Sequence, residues 1–266
     1  MRLRDTFLSL IKGAIVGISS LIPGISSGSI LVSLGAYTDT TEGIGNLFKK
    51  NNRKLFLVVI PIFLGLLAGL FGGQRVVNYF LDNYKVQTIF LFIGLIAGGY
   101  RLIIRSICSK KKSAIYKNIG LFLIVFTLII LVQLLFFNNI NLKVNNEITS
   151  LLFGLLSGVI LLIPGLNLTS NEILRANYNI FDFNFLIIIL FLIGAFIGVV
   201  AVCNIIYRIL LKKPKFIMLI ISSALTASIV IAILQIDKFT PSFVNIFTTI
   251  LAFLWGYILA KNLENE

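Results

Sequence analysis

Histidine is missing from the chain altogether, cysteine occurs twice and proline five times in 266 residues, and only 12% of the residues carry charge. Without an imidazole there is no Ser-His-Asp triad, no histidine-dependent lipid phosphatase, no zinc site with histidine ligands and no histidine proton relay. Cys108 stands in a basic stretch and Cys203 near the end of an apolar one. Two thiols so placed form neither a disulfide framework nor a metal-ligand spacing, so no metal and no cofactor is expected. The scarcity of charge has its counterpart in a 58% hydrophobic content and a mean hydropathy of +1.01, outside the roughly 45–50% apolar share of soluble domains. The chain is read as an all-α integral membrane protein, one polytopic domain over residues 1–266.

Apolar stretches able to cross about 30 Å of hydrocarbon, which takes roughly 20 residues, run at Leu55–Gly73, Val86–Ile104, Ile119–Phe137, Phe183–Ile205, Phe216–Gln235 and Ser242–Ala260. Six crossings are predicted. The second and fifth hold enough Gly, Ser and Thr to be interrupted themselves. Met1 to Lys12 is a short basic amphipathic lead with no small-residue cleavage site behind an apolar core, so the first hydrophobic segment is expected to be retained. A net charge of +13 would suggest nucleic acid in a soluble protein; here its distribution reports topology, and no nucleic-acid partner is expected. With both termini cytoplasmic, 18 of the 23 basic residues fall on the cytoplasmic side, among them Lys49, Lys50, Arg53, Lys54 and Lys110 to Lys112. Arg75, Lys85, Lys143 and Lys238 fall on the other side, and Arg175 lies inside an interrupted segment. This asymmetry is what the positive-inside rule demands.

Two apolar runs break at the same dipeptide, Leu21-Ile22-Pro23-Gly24 and Leu162-Ile163-Pro164-Gly165. The register that lays Pro23-Gly24 on Pro164-Gly165 also lays Gly13 on Gly154, Gly17 on Gly158, Ser29 on Ser170 and Tyr37 on Tyr178. Gly65 and Gly69 are answered more weakly by Gly194 and Gly198. The chain is thus an internal duplication, with repeat 1 over about residues 12–137 and repeat 2 over about 148–260. The glycines at those positions are read chiefly as allowing close helix packing.

The first broken run lies between the basic clusters Arg2 to Lys12 and Lys49 to Lys54. A crossing there would put one cluster outside, so the run is expected to turn back. Its halves, Gly13–Ile22 and Ser26–Tyr37, each reach only to mid-bilayer at 1.5 Å per residue. Proline cannot continue the hydrogen-bond ladder and glycine permits the sharp turn behind it. Each repeat is therefore expected to be a re-entrant helical hairpin plus three transmembrane helices, the two repeats having inverted topology. Unpaired N–H groups and the positive dipole ends of both second half-helices then face the midplane, where backbone donors survive only beside protein or a polar cavity. Ser26, Ser27, Gly28 and Ser29 at the first tip, and Asn167, Thr169, Ser170 and Asn171 at the second, make a candidate anion-binding site without histidine or metal.

The residues from Lys12-Gly13-Ala14 through Ile22-Pro23-Gly24-Ile25-Ser26-Ser27-Gly28-Ser29 to Gly35-Ala36-Tyr37, with Phe90–Gly98 and the second Ile163-Pro164-Gly165, resemble the bacterial polyprenyl-phosphate (undecaprenyl-phosphate) transporter family over most of the chain. The first stretch is similar to the family's Pro-Gly-Val-Ser-Gly-Gly-Thr followed by Gly-x-Tyr. Ser27 stands where the family usually has Gly, and Ser29 where it has Thr. In the second copy Asn167, Leu168 and Thr169 replace a usual Ser-Gly-Ser, Asn171, Glu172 and Arg175 interrupt an apolar run, and Ala176 replaces Gly. The resemblance implies a non-enzymatic flippase in the bacterial cytoplasmic membrane. It would move polyprenyl phosphate from the outer to the inner leaflet and so recycle the carrier lipid of wall synthesis, with tandem re-entrant repeats.

Glu172 and Arg175, three residues apart, share a helix face at a depth where an ionised group costs roughly 2.5–3.5 kcal/mol. Either they neutralise one another, or Arg175 holds a phosphate by a charge-assisted contact while Glu172 orients it or exchanges a proton. Glu172 is the candidate for coupling to a proton or sodium gradient. Arg75 and Asn78 are read as a solvated helix end, Lys110 to Lys112 as contacts to anionic lipid, and Tyr37 and Tyr178 as interfacial anchors outside the site. A permease for another lipid phosphate or a small soluble anion is the alternative. An intramembrane serine enzyme, suggested by Ser-Ser-Gly near a helix start, lacks any histidine or membrane-core lysine as base.

Overall fold

The computed structural model describes residues 3–47, 52–107, 112–137, 147–166, 185–236 and 241–264. Among the described residues all regular structure is helical and no strand occurs. Helix α1 (Leu3–Ser19) ends where Pro23 withholds a donor and Gly24 takes φ +82°. Helix α2 (Ser27–Ser33) follows and is only seven residues long, roughly 10 Å. Its end is set by Gly35 at φ +68°, after which the chain restarts as α3 (Tyr37–Gly45). The predicted half-helix Ser26–Tyr37 is therefore cut short by a glycine the hydropathy pattern does not see.

Lys54 ties α3 to the next helix through Asp39 Oδ1 at 2.6 Å and Glu42 Oε2 at 2.8 Å. Burial pulls the Lys54 ammonium down, but the hydrogen bonds and charges of Asp39 and Glu42 together outweigh it and hold its pKa above the ordinary lysine value. A raised lysine pKa contributes stability fully below the unfolded value, about 10.4, and loses it as pH rises through the folded one. The three side chains are 35–41% exposed, so solvent screening holds the group to about 1 kcal/mol or less. Lys54→Met is expected to lower the thermal midpoint in detergent by no more than about 4 °C at neutral pH. The gap should close at strongly alkaline pH; a gap that persists there would remove the charge explanation.

After a π-helical turn at Leu55–Val59, α4 runs through Ile60–Ile107. Its 48 residues would measure about 72 Å if straight, more than twice the hydrocarbon thickness. It is not straight. Tyr84 leaves helical geometry at φ −138°, ψ 43°, and Thr88 Oγ1 reaches both Tyr84 O at 2.8 Å and Phe80 O at 3.4 Å. Eight residues of regular helix rise about 12 Å, so an oxygen eight residues back comes within reach only across a sharp bend. The two crossings predicted at 55–73 and 86–104 are the two arms of this one bent helix.

The chain continues as α5 (Lys112–Val132, extended by a π-helical Gln133–Phe137), α6 (Glu147–Leu162), α7 (Phe185–Lys212), α8 (Pro214–Leu234) and α9 (Phe243–Glu264). Helix α6 stops at Ile163-Pro164-Gly165, with Gly165 at φ +87°. Helix α8 opens with Pro214 in its first turn and, contrary to its Ser and Thr content, runs unbroken. Five helices among the described residues are long and apolar enough to cross a membrane, the bent one being counted once. Of α8's most apolar window 61% is buried, against 11–28% for the others, which makes α8 the central helix. Outward-facing Phe71, Leu123, Phe196, Phe243 and Trp255 give the bundle an apolar exterior suited to lipid.

Glycines at matched positions make matching helix contacts. A Cβ at Gly13 or Gly17 of α1 would strike the carbonyl oxygen of Ile62 or Leu66 on α4, and one at Gly65 or Gly69 that of Leu10 or Ala14. In the second copy, Gly154 and Gly158 of α6 meet the carbonyls of Phe191 and Ala195 on α7, and Gly194 and Gly198 those of Leu151 and Leu155. Every one of these eight contacts has its counterpart at the equivalent position. The glycines serve close helix packing, as read from the sequence.

Candidate functional site

The two Pro-Gly breaks touch. Ser26, the extended residue before α2 (φ −84°, ψ 126°), does not cap its own helix; its hydroxyl donates to Ile163 O at 3.3 Å. Gly165 N–H donates to Ser29 Oγ at 3.1 Å. Tyr37 OH donates to Leu162 O at 3.2 Å. Gly28 lies flat against the same segment, where an added Cβ would come within 3.0 Å of Leu162 O. Ser26, Ser29 and Tyr37 are at most 3% exposed.

The physical reason is the end of α6. Its last carbonyls have no helical partners, and inside an apolar bundle each would be costly to leave bare. Tyr37 of α3 satisfies the last of them, Leu162 O, and Ser26 of the first break bonds the next carbonyl along, Ile163 O. The hydroxyls of Ser26 and Ser29, read from the sequence as anion ligands, thus bond here to backbone of the second break. The first-turn N–H groups of α2, at Ser27, Gly28 and Ser29, have no intrahelical carbonyl to meet.

Helix α8 backs both breaks. A Cβ on Gly24 would lie 2.8 Å from Ala232 Cα, and one on Gly165 would lie 2.7 Å from Ala224 O. Gly24 is also against the side chain of Gln235. From the other flank, Ser33 Oγ donates to Ser29 O at 2.8 Å, and Gly99 of α4 packs on Ser33.

Of the residues singled out from the sequence, Pro23, Gly24, Ser26, Ser27, Gly28, Ser29, Pro164 and Gly165 converge on this junction. Asn167, Thr169, Ser170, Asn171, Glu172, Arg175 and Tyr178 lie outside the described residues, as do Lys110 and Lys111. Arg75 and Asn78 are exposed in the later part of α4's first arm and make none of the junction's contacts. Tyr37 is a correction: it is not an interfacial anchor but is buried in the junction. Its match to Tyr178 under the repeat register was the signal that it shares the fate of the breaks.

The family described as undecaprenyl phosphate translocase-like matches residues 1–118. The match covers less than half of the 266 residues. The matched residues hold the first break, α2, Tyr37 and both arms of α4, which is the stretch the resemblance rested on most heavily. The chain is also similar to a polyprenyl-phosphate transporter of Staphylococcus aureus (strain NCTC 8325 / PS 47), at 30% identity over 92 residues, 35% of this chain. That alignment spans 32% of the relative's length. No solved structure matches the chain.

Proposed function

We propose that the chain is a flippase for polyprenyl phosphate, carrying it from the outer to the inner leaflet of the bacterial cytoplasmic membrane with the phosphate held between the two Pro-Gly tips. The observation that carries this reading is the direct meeting of the two breaks deep in an apolar helical bundle, with the donor-rich first turn of α2 at the meeting point. The isoprenoid tail stays in the bilayer while the headgroup traverses the polar junction.

In this reading the breaks are re-entrant hairpins inserted from opposite leaflets, repeats 1 and 2 run over about residues 12–137 and 148–260, and the two arms of α4 are separate crossings, six in all. Two features support it. The glycine contacts of α1 with α4 recur between α6 and α7. Moreover, the second arm of α4 packs on α9 while α5 packs on α8, so that each repeat's last helix lies on the other's penultimate one, as a two-fold relation requires. Repeats so related can exchange roles, which is alternating access. The amides of Ser27, Gly28 and Ser29 and the side chains of Asn167, Thr169, Ser170, Asn171 and Arg175 supply donors to the phosphate. Glu172 is the coupling carboxylate for a proton or sodium ion.

The test is leaflet exchange of a polyprenyl phosphate in reconstituted vesicles. Arg175→Gln removes a charge-assisted bond worth about 1.5–3 kcal/mol, which is roughly 10- to 100-fold in rate. Glu172→Gln should flatten the pH dependence. Rates for wild type, Ser29→Ala and Arg175→Gln that all equal those of empty vesicles would dispose of this substrate. The departures at Asn167, Leu168 and Thr169 favour, as a second reading, another lipid phosphate or a small soluble anion; uptake of soluble phosphate into the same vesicles without lipid exchange would select it.

A further inference from the structure

Ser228 is the buried side-chain oxygen among the described residues that has no hydrogen-bond partner. It is 0% exposed. Its neighbours on α8 behave otherwise: Ser222 Oγ donates to Leu219 O, Ser223 Oγ to Phe122 O, and Thr226 Oγ1 to Ser222 O while also pairing with Tyr100 OH. A helical serine ordinarily satisfies itself on the carbonyl three or four residues back, and Ser228 does not. An orphaned buried hydroxyl destabilises a fold and calls for an explanation.

Its position supplies one. Gly165 packs on Ala224 and Gly24 packs on Ala232, so both breaks lie on the face of α8 formed by residues 224, 228 and 232, spaced four apart. Ser228 falls midway on that face, about 6 Å along the helix from each contact. The unpartnered hydroxyl therefore stands on the wall that both breaks cover.

We infer that Ser228 is a headgroup-binding residue, its hydroxyl donating to a phosphate oxygen when the breaks part. The assignment rests on the proposed phosphate site and adds to it a wall on α8, outside both hairpins. A hydroxyl kept without a protein partner costs stability in the closed arrangement and gains its partner only from a visiting anion.

The experiment measures binding of undecaprenyl phosphate, polyprenol and inorganic phosphate to the full-length protein in detergent, for wild type, Ser228→Ala and Ser222→Ala, together with their thermal midpoints. Ser228→Ala is expected to weaken undecaprenyl phosphate about tenfold, to leave polyprenol unchanged, and to hold or raise the thermal midpoint, because it deletes an unsatisfied group. Ser222→Ala, which removes a satisfied hydroxyl, should lower the midpoint and leave affinity alone. Parallel loss of inorganic phosphate binding in Ser228→Ala would show that the phosphate alone is sensed; loss confined to the lipid would show that the tail is needed to open the site. Undecaprenyl phosphate affinity unchanged in Ser228→Ala would overturn the assignment and leave the phosphate site standing. Equal loss for polyprenol would overturn it as well. A wild type that binds neither phosphate probe would sink the site itself and Ser228 with it.

Discussion

Gly165→Val is expected to unfold the junction between the two Pro-Gly breaks, lowering the thermal midpoint in detergent by roughly 6–12 °C and abolishing the proposed lipid exchange. At φ +87° a β-branched residue is a backbone outlier, and strain of this kind costs about 1–3 kcal/mol. The new Cβ also meets Ala224 O at 2.7 Å and Ile129 Cγ2 at 3.1 Å. The first is backbone of the central helix and does not yield, so overpacking adds a further 1–3 kcal/mol or so. The same turn aims Gly165 N–H at Ser29 and presents Leu162 O and Ile163 O to Tyr37 and Ser26, so tilting it leaves buried groups unpaired. Ser29→Ala separates the contributions. It removes the acceptor of Gly165 N–H but strains no backbone, and should cost about 1–3 kcal/mol. A Gly165→Val protein melting within 2 °C or so of wild type would mean that the break is not held as described.

The two breaks, their convergence and the matched glycine contacts were legible because each leaves a residue-level mark: Pro and Gly in one register, glycines at matched positions, polar residues where a span should be apolar. What the serines at the first tip touch was not. Ser26 and Ser29 find their partners 137 and 136 residues away, and those partners are backbone atoms, which carry no sequence signature. Read locally, a serine at a helix start is a cap or a ligand; only the fold reveals the carbonyl of Ile163 in front of Ser26 and the N–H of Gly165 in front of Ser29. Tyr37 was misplaced for a similar reason, since a tyrosine at a span's end suits an interface as well as a buried hydrogen bond. The bend at Tyr84 falls in the connection expected between the crossings at 55–73 and 86–104; what the sequence did not mark is that the chain stays helical on both sides of it, with no intervening loop.

The central role of α8 was hidden more deeply. Its Ser222, Ser223, Thr226 and Ser228 resemble interruptions when hydropathy alone is summed, yet three of the four bond within the bundle and the helix runs unbroken. Composition distinguishes polar from apolar but not a satisfied hydroxyl from an orphaned one.

Gly17→Leu and Gly158→Leu are expected to damage the protein equally, although they lie in different halves of the chain. In each, the added side chain begins at a carbonyl oxygen of the partner helix, that of Leu66 or of Ala195. Neither helix offers room, so the pair must separate from a small-residue contact toward the 8–10 Å spacing of ordinary side-chain packing. That loses close contacts along the whole seam, including those at the three companion glycines, at a cost of more than about 3 kcal/mol. Because α1 with α4 and α6 with α7 repeat one geometry, the two losses should agree within about 1 kcal/mol. The two glycines press on different residues, Leu66 and Ala195, so the double variant should show their sum. Gly72 and Gly120 provide the contrast: both are helical, and nothing lies within 4 Å of a Cβ at either. Leucine there should be neutral to within about 0.5 kcal/mol, or slightly stabilising through helix propensity. Thermal midpoints of the four single variants in detergent decide it. If Gly17→Leu were tolerated while Gly158→Leu was not, the two helix pairs would not be equivalent, and the proposed two-fold relation, with the proposed alternating access, would lose its main support.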